Sequence, residues 1–128
     1  MTDLRTPGTW VEKIRCIVLT DPDAIGDRSW TAVVEAALRG GARAIQLRHK
    51  RATARELAEL GRALRELTRA YDALLFVNDR ADVALAVDAD GVHLGADDVP
   101  VREIRRVAPR EFLIGASADT VDAARDAE

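Results

Sequence analysis

Short β-like runs alternate with helix-patterned stretches along almost the whole chain, and this alternation constrains the fold more than any other feature. IRCIVLT (residues 14–20) reads as a first strand, followed by the turn-rich DPDAIGDRS. A helix from about Trp30 carries Val33, Val34, Ala37 and Leu38 on one face and stops at Gly40 and Gly41, where glycine can close a helix in the left-handed conformation. RAIQLR (residues 43–48) is the second strand. After it, Thr53 and Glu56 have capping-box spacing, and Leu57, Leu60, Leu64 and Leu67 recur at helical intervals. LLFVN (residues 74–78) is the third strand, RADVALAV a short helix, and GVHLG (residues 91–95) the fourth strand. Pro100 suits the first turn of a helix carrying Val101, Ile104 and Val107, and Pro109 lies just past its end. FLIGAS (residues 112–117) makes a fifth strand, and TVDAARDAE starts another helix.

Alternation of this regularity argues for a parallel sheet with helices packed outside it. An open doubly wound sheet wants a glycine-rich fingerprint after its first strand, and LTDPDAIGD does not supply G-x-G-x-x-G. The polar residues instead gather after the strands, at the ends where a (β/α) barrel builds its sites. The expected fold class is therefore α/β, of the TIM (β/α)8-barrel family. A full barrel takes about 250 residues, so the 128 present correspond to an incomplete barrel of about five β/α units. No low-complexity linker divides the chain, and a single domain over residues 1–128 is expected, with 1–13 as an N-terminal extension. An open parallel sheet would leave unpaired edges and an uncovered inner face. The expected partner for it is a second copy of the chain or a missing C-terminal half.

Composition excludes several classes. Apolar residues at 48%, charged residues at 32% and a net charge of −3 describe a globular chain without a basic nucleic-acid footprint. No apolar stretch approaches a bilayer span, and MTDLRTPGTW lacks the basic-then-apolar plan of a secretion signal, so a cytoplasmic setting is expected. The single cysteine, Cys16, lies inside the apolar run CIVL and is expected to be buried.

Side chains alternate along a strand, so in IQLRHK the polar trio Gln46, Arg48 and Lys50 shares one side and Ile45 and Leu47 the other. In a barrel the trio would line the inner rim. An arginine there needs an anion or a hydrogen-bond partner: together with Lys50 it suggests a phosphate-bearing ligand, the competing reading being that Arg48 pairs with an internal acid and Lys50 lies in a solvated loop. Asn78, Asp79 and Asp98 follow neighbouring strands. Two carboxylates on adjacent strand ends suit Mg²⁺, which binds one or two carboxylates together with water and phosphates. Both aspartates also precede helices, where N-capping is the competing reading; Asp97 is the weaker choice at the second position. Ser117 could donate to a phosphate or cap the following helix. His93 reads as a hydrogen-bonded interior histidine, and His49 should point away from the interior. No serine–histidine–acid arrangement or Cys/His metal spacing stands out.

Taken together, QLRHK, FVNDRADVALAVDADGVHLGADD and IGAS resemble, in order and spacing, the thiamine-phosphate synthase family, from Ile14 onward. The chain departs from the family's usual pattern at His49, where an acid is common, at Ala96, where glutamine is usual, and at Ala118–Asp119, often Thr-His. The resemblance implies a TIM barrel that joins a hydroxymethylpyrimidine diphosphate to a thiazole phosphate, releasing pyrophosphate. It implies that Gln46, Arg48, Lys50, Asn78 and Ser117 bind the pyrimidine diphosphate, with Arg48 and Lys50 stabilising the leaving group. Asp79 and Asp98 would hold Mg²⁺ against it, and no protein nucleophile is required. The nearby alternatives are a thiazole tautomerase, related in fold, and a non-catalytic remnant that binds a phosphorylated ligand.

Overall fold

The structure, a computed structural model, describes residues 7–128; residues 1–6 of the expected N-terminal extension lie outside the described residues. The chain runs through α1 (Pro7–Lys13), β1 (Val18–Leu19), α2 (Pro22–Ile25), α3 (Trp30–Arg39) and β2 (Ala44–Leu47). It continues through α4 (Ala54–Ala70), β3 (Leu74–Asn78), α5 (Ala81–Ala86) and β4 (Gly91–Leu94). The last elements are α6 (Val101–Val107), β5 (Leu113–Ala116) and α7 (Val121–Ala127). The strands form one parallel sheet in the order β1-β2-β3-β4-β5. In-order pairing without a reversal is the geometry of a barrel wall, whereas a doubly wound sheet changes direction partway.

The two faces of the sheet bury different residues. Ile45, Leu47, Leu75, Val77, Val92 and Leu94 pack into the main cluster with Val34 and Leu38 of α3, Leu57 and Leu64 of α4, and Val83 of α5. Helix α4 earns its length locally: Thr53 accepts from Glu56 N while Glu56 bonds back to Thr53 N, completing the expected capping box. The other face carries Ala44, Leu74 and Phe76, against which Trp10, Ile14, Ile17 and Leu113 pack.

That second cluster corrects three expectations. The first strand is Val18–Leu19 rather than residues 14–20, because Ile14 continues the turn of α1, its N–H bonded to Trp10 O at 3.2 Å, and contributes its side chain to the inner face. The inner face is accordingly covered at the β2–β3 level, not bare. Cys16 is exposed rather than buried, since it lies in the turn before the sheet's edge strand. The stretch DPDAIGDRS also holds α2, capped by Asp21. Helix α3 closes as expected at the glycine pair, with Gly41 taking the positive φ of 111°.

At the N-terminal ends of the strands Asp90 ties three elements together. Its N–H bonds to Leu75 O at 2.8 Å and its carbonyl accepts from Leu113 N at 2.9 Å. Its carboxylate accepts from Leu75 N at 2.8 Å and from Arg65 of α4 at 2.7 Å. Arg65 is buried, and its second amino group donates to Ala73 O at 3.4 Å. Removing one partner from a buried ion pair strands the other charge. Asp90→Ala is therefore expected to destabilise the chain by about 3 kcal/mol, read as a lowered midpoint in urea denaturation; an unchanged midpoint would remove Asp90 from this role.

Candidate functional site

The inward side chains of successive strands form a polar row near the C-terminal end of the sheet. Register places Gln46 beside Phe76, Asn78 beside His93, and His93 beside Gly115. Gln46 is buried and its Oε1 accepts from Asn78 Nδ2 at 3.1 Å. The two amides therefore satisfy one hydrogen bond each and keep further donors and acceptors that bond no side chain among the described residues.

Beyond β2, the backbone of Arg48 is clamped by Thr20: the threonine hydroxyl accepts from Arg48 N at 2.8 Å and donates to Arg48 O at 2.9 Å. The Arg48 guanidinium makes no hydrogen bond or ion pair among the described residues, but its charge acts on Asp79. His49 turns away from the row and stacks on Trp30 of α3, ring centroids 5.3 Å apart and planes within 4°. Lys50, half-exposed, forms an ion pair with Asp79.

Asp79 and Asp98 meet from different strands. Asp79 follows β3 with a left-handed backbone, φ 66°, and its N–H bonds to His93 O at 2.8 Å. That conformation is uncommon outside glycine, though aspartate tolerates it better than most residues. Asp98 follows β4, and its Oδ2 accepts from Gly95 N at 2.6 Å. The capping reading fails for both: the residue at the start of α5 is Arg80, the residue at the start of α6 is Pro100, and neither helix start has a side-chain cap. Ser117 is not a cap either, since Thr120 caps α7; its hydroxyl lies 2.8 Å from His93 Nε2 and its N–H bonds to Leu94 O at 2.9 Å.

The charges around the two carboxyls act in opposite directions. Burial pushes the Asp79 carboxyl up, but hydrogen bonds with Lys50 and Asp98 and the positive charges of Lys50 and Arg48 together hold it below its ordinary value. Burial also pushes Asp98 up, and the adjacent Asp79 charge raises it further, outweighing the Gly95 N–H and Lys50. Each carboxylate charge opposes ionisation of the other, and a cation held between them would relieve that opposition. Among the described residues no group of three or more His, Cys, Asp or Glu forms a metal cluster. The donor set is two carboxylate-bearing residues, which suits a hard divalent cation completing its shell with water and phosphate oxygens.

The structure thus brings Lys50, Asp79 and Asp98 together, joins Gln46 to Asn78, and pairs Ser117 with His93. Asp97 is exposed, in keeping with its weaker standing. Thr20, Gly95 and the Ser117–His93 contact escaped sequence reasoning. A polar residue closing the run IRCIVL was the one signal that pointed to Thr20.

Residues 16–128 match the family model described as thiamine monophosphate synthase. The thiamine-phosphate synthase of Roseiflexus sp. strain RS-1 is 53% identical over 110 residues, covering 86% of this chain and 47% of that protein. The thiamine-phosphate synthase of Methanococcus maripaludis strain C5 is 50% identical over 117 residues, covering 91% of this chain and 55% of that protein. A solved structure titled thiamine phosphate pyrophosphorylase from Pyrococcus furiosus is similar at a TM-score of 0.78 and 49% identity, covering 87% of this chain and 53% of that one. The chain spans about half the length of the curated relatives it matches.

The opposed shifts have consequences for stability. A raised carboxyl stabilises the folded state only at low pH, and that contribution is lost as pH rises through the folded-state value. A lowered carboxyl stabilises above its unfolded value and loses that contribution as pH falls. At neutral pH without divalent cations, Asp98→Asn is therefore expected to raise the melting temperature slightly and Asp79→Asn to lower it. Equal shifts for the two variants in thermal melts would contradict the asymmetry.

Proposed function

The chain belongs to the thiamine monophosphate synthase family, and from that membership we propose that it carries the pyrimidine-diphosphate side of a thiamine-phosphate synthase site. The observation that supports this most is the convergence of Lys50, Asp79 and Asp98 at the C-terminal ends of adjacent strands, within reach of the Arg48 charge, whose guanidinium is unpaired among the described residues. In this reading Gln46 and Asn78 hydrogen-bond the pyrimidine, and Ser117 donates to a diphosphate oxygen. Arg48 and Lys50 face the leaving group, with Lys50 exchanging its present partner Asp79 for phosphate oxygens.

The reaction breaks the bond between the pyrimidine methylene carbon and the diphosphate oxygen. The departing pyrophosphate keeps the electron pair, and the thiazole nitrogen captures the pyrimidine carbocation to form the new C–N bond. When bound by Asp79 and Asp98, Mg²⁺ would neutralise charge on the pyrophosphate. Arg48 and Lys50 contribute in the same direction, most strongly where charge builds in the transition state. The side chains hold the diphosphate still, so that departure and capture occur in a fixed geometry.

The curated relatives are about twice as long as this chain. The thiazole-phosphate side is assigned in this proposal to further β/α units, in a C-terminal half or a second copy of the chain. A cytoplasmic setting belongs to the same proposal; among the described residues no helix is long and apolar enough to cross a membrane.

Calorimetric titration of the chain with hydroxymethylpyrimidine diphosphate is expected to show binding that requires Mg²⁺. Asp79→Ala and Lys50→Ala are each expected to weaken it about tenfold, the size of a lost charge-assisted hydrogen bond. Pyrophosphate release on adding thiazole phosphate reports turnover. Binding that is indifferent to Mg²⁺, or unchanged in both variants, would contradict the reading.

A further inference from the structure

The contact between His93 and Ser117 is not needed to fold either residue into place. Ser117 is already anchored through its N–H to Leu94 O, and the following helix has its own cap in Thr120. Yet space is kept for the imidazole: Gly115 is its register partner, and a Cβ on Gly115 would stand 2.8 Å from His93 Nδ1. The ring lies over that glycine and brings Nε2 to 2.8 Å from the Ser117 hydroxyl oxygen.

A serine hydroxyl has one proton and two lone pairs. If the imidazole accepted that proton, Ser117 would turn lone pairs alone toward an approaching anion. If Nε2 carries the imidazole's proton and donates it to the hydroxyl oxygen, the serine proton is free to point into the site. We propose that His93 is a positioning residue that, as the Nε2–H tautomer, directs the Ser117 hydroxyl proton toward a diphosphate oxygen. This rests on the reading of Ser117 as a diphosphate contact. The opposite arrangement, serine donating to Nε2 as toward a general base, would put a proton on Nδ1, where the Gly115 Cα–H already points at the ring nitrogen; that contact suits a lone pair.

Two measurements test it on the full chain. The chain has two histidines, so long-range ¹H–¹⁵N correlation at neutral pH, with His49→Gln to assign the second ring, reads the His93 tautomer directly. The expected result is a protonated Nε2 whose resonance moves in Ser117→Ala; an Nδ1–H tautomer would overturn the proposal. Calorimetry with Mg²⁺ and inorganic pyrophosphate gives the functional arm. Ser117→Ala and His93→Leu should each weaken binding about tenfold, and the double variant should be no weaker than Ser117→Ala alone. His93→Gln, which keeps an amide donor at similar reach, should retain most of the affinity, while Gly115→Ala should repeat the loss with the imidazole still present. Additive losses, or wild-type affinity in His93→Leu, would overturn the role. A wild-type chain that does not bind magnesium pyrophosphate would remove the diphosphate reading of the site. The tautomer and its response to Ser117→Ala would then decide the His93–Ser117 arrangement by themselves.

Discussion

Strand register is the constraint on which every other feature depends. The inner face of this sheet turns polar toward its C-terminal end, because β2, β3, β4 and β5 pair so that Gln46, Asn78 and His93, with Gly115 beside the last, come into one neighbourhood. A slip of one residue in a parallel ladder would turn each of these side chains toward the helices and bring Leu47, Val77 and Val92 inward. The network around Asp90 fixes this alignment from the far ends of the strands, and the main cluster beneath α3, α4 and α5 holds the apolar set on its own side. Site and core are therefore two readings of the same alternation.

The loops that follow the strands then do what the strands cannot. Arg48 is held through its backbone by Thr20, and its guanidinium makes no hydrogen bond among the described residues. Asp79 adopts a left-handed backbone, and Asp98 reaches back to Gly95, so that two acids from separate loops act on each other and on one lysine. This is electrostatically unfinished: one carboxyl is held down, its neighbour is pushed up, and among the described residues the arginine guanidinium forms no ion pair. A cation with an attached anion would complete the charge balance that the folded chain leaves open.

Much of this was legible in the sequence, for identifiable reasons. Period-two alternation separated Gln46 from Ile45 and Leu47, whereas Arg48 and Lys50, expected on the same strand, lie in the loop beyond β2; the Thr53–Glu56 spacing announced its helix start. What stayed hidden depended on contacts between distant residues. Nothing local tells that Ile14 and Ile17 serve the inner face instead of extending a strand, or that Cys16 is consequently exposed. Capping and convergence leave the same trace, an aspartate between strand and helix, and only the absence of cap bonds at α5 and α6 separates them. The bond between His93 and Ser117, 24 residues apart, required the β4–β5 register to be known.

The central claim is that the charged side chains from β2, β3 and β4 address one metal-bound diphosphate. Mn²⁺ substituted for Mg²⁺ with inorganic pyrophosphate makes that location visible, since the paramagnetic ion broadens nearby amide signals in an ¹⁵N-labelled chain. The expected result is broadening centred on the loops after β2, β3 and β4 and on Ser117. The groove of about 450 Å³ at the opposite ends of the strands, lined by Cys16, Val18 and Arg43 among others, should stay sharp. Broadening centred on that groove, or spread evenly over the acidic surface, would contradict the account.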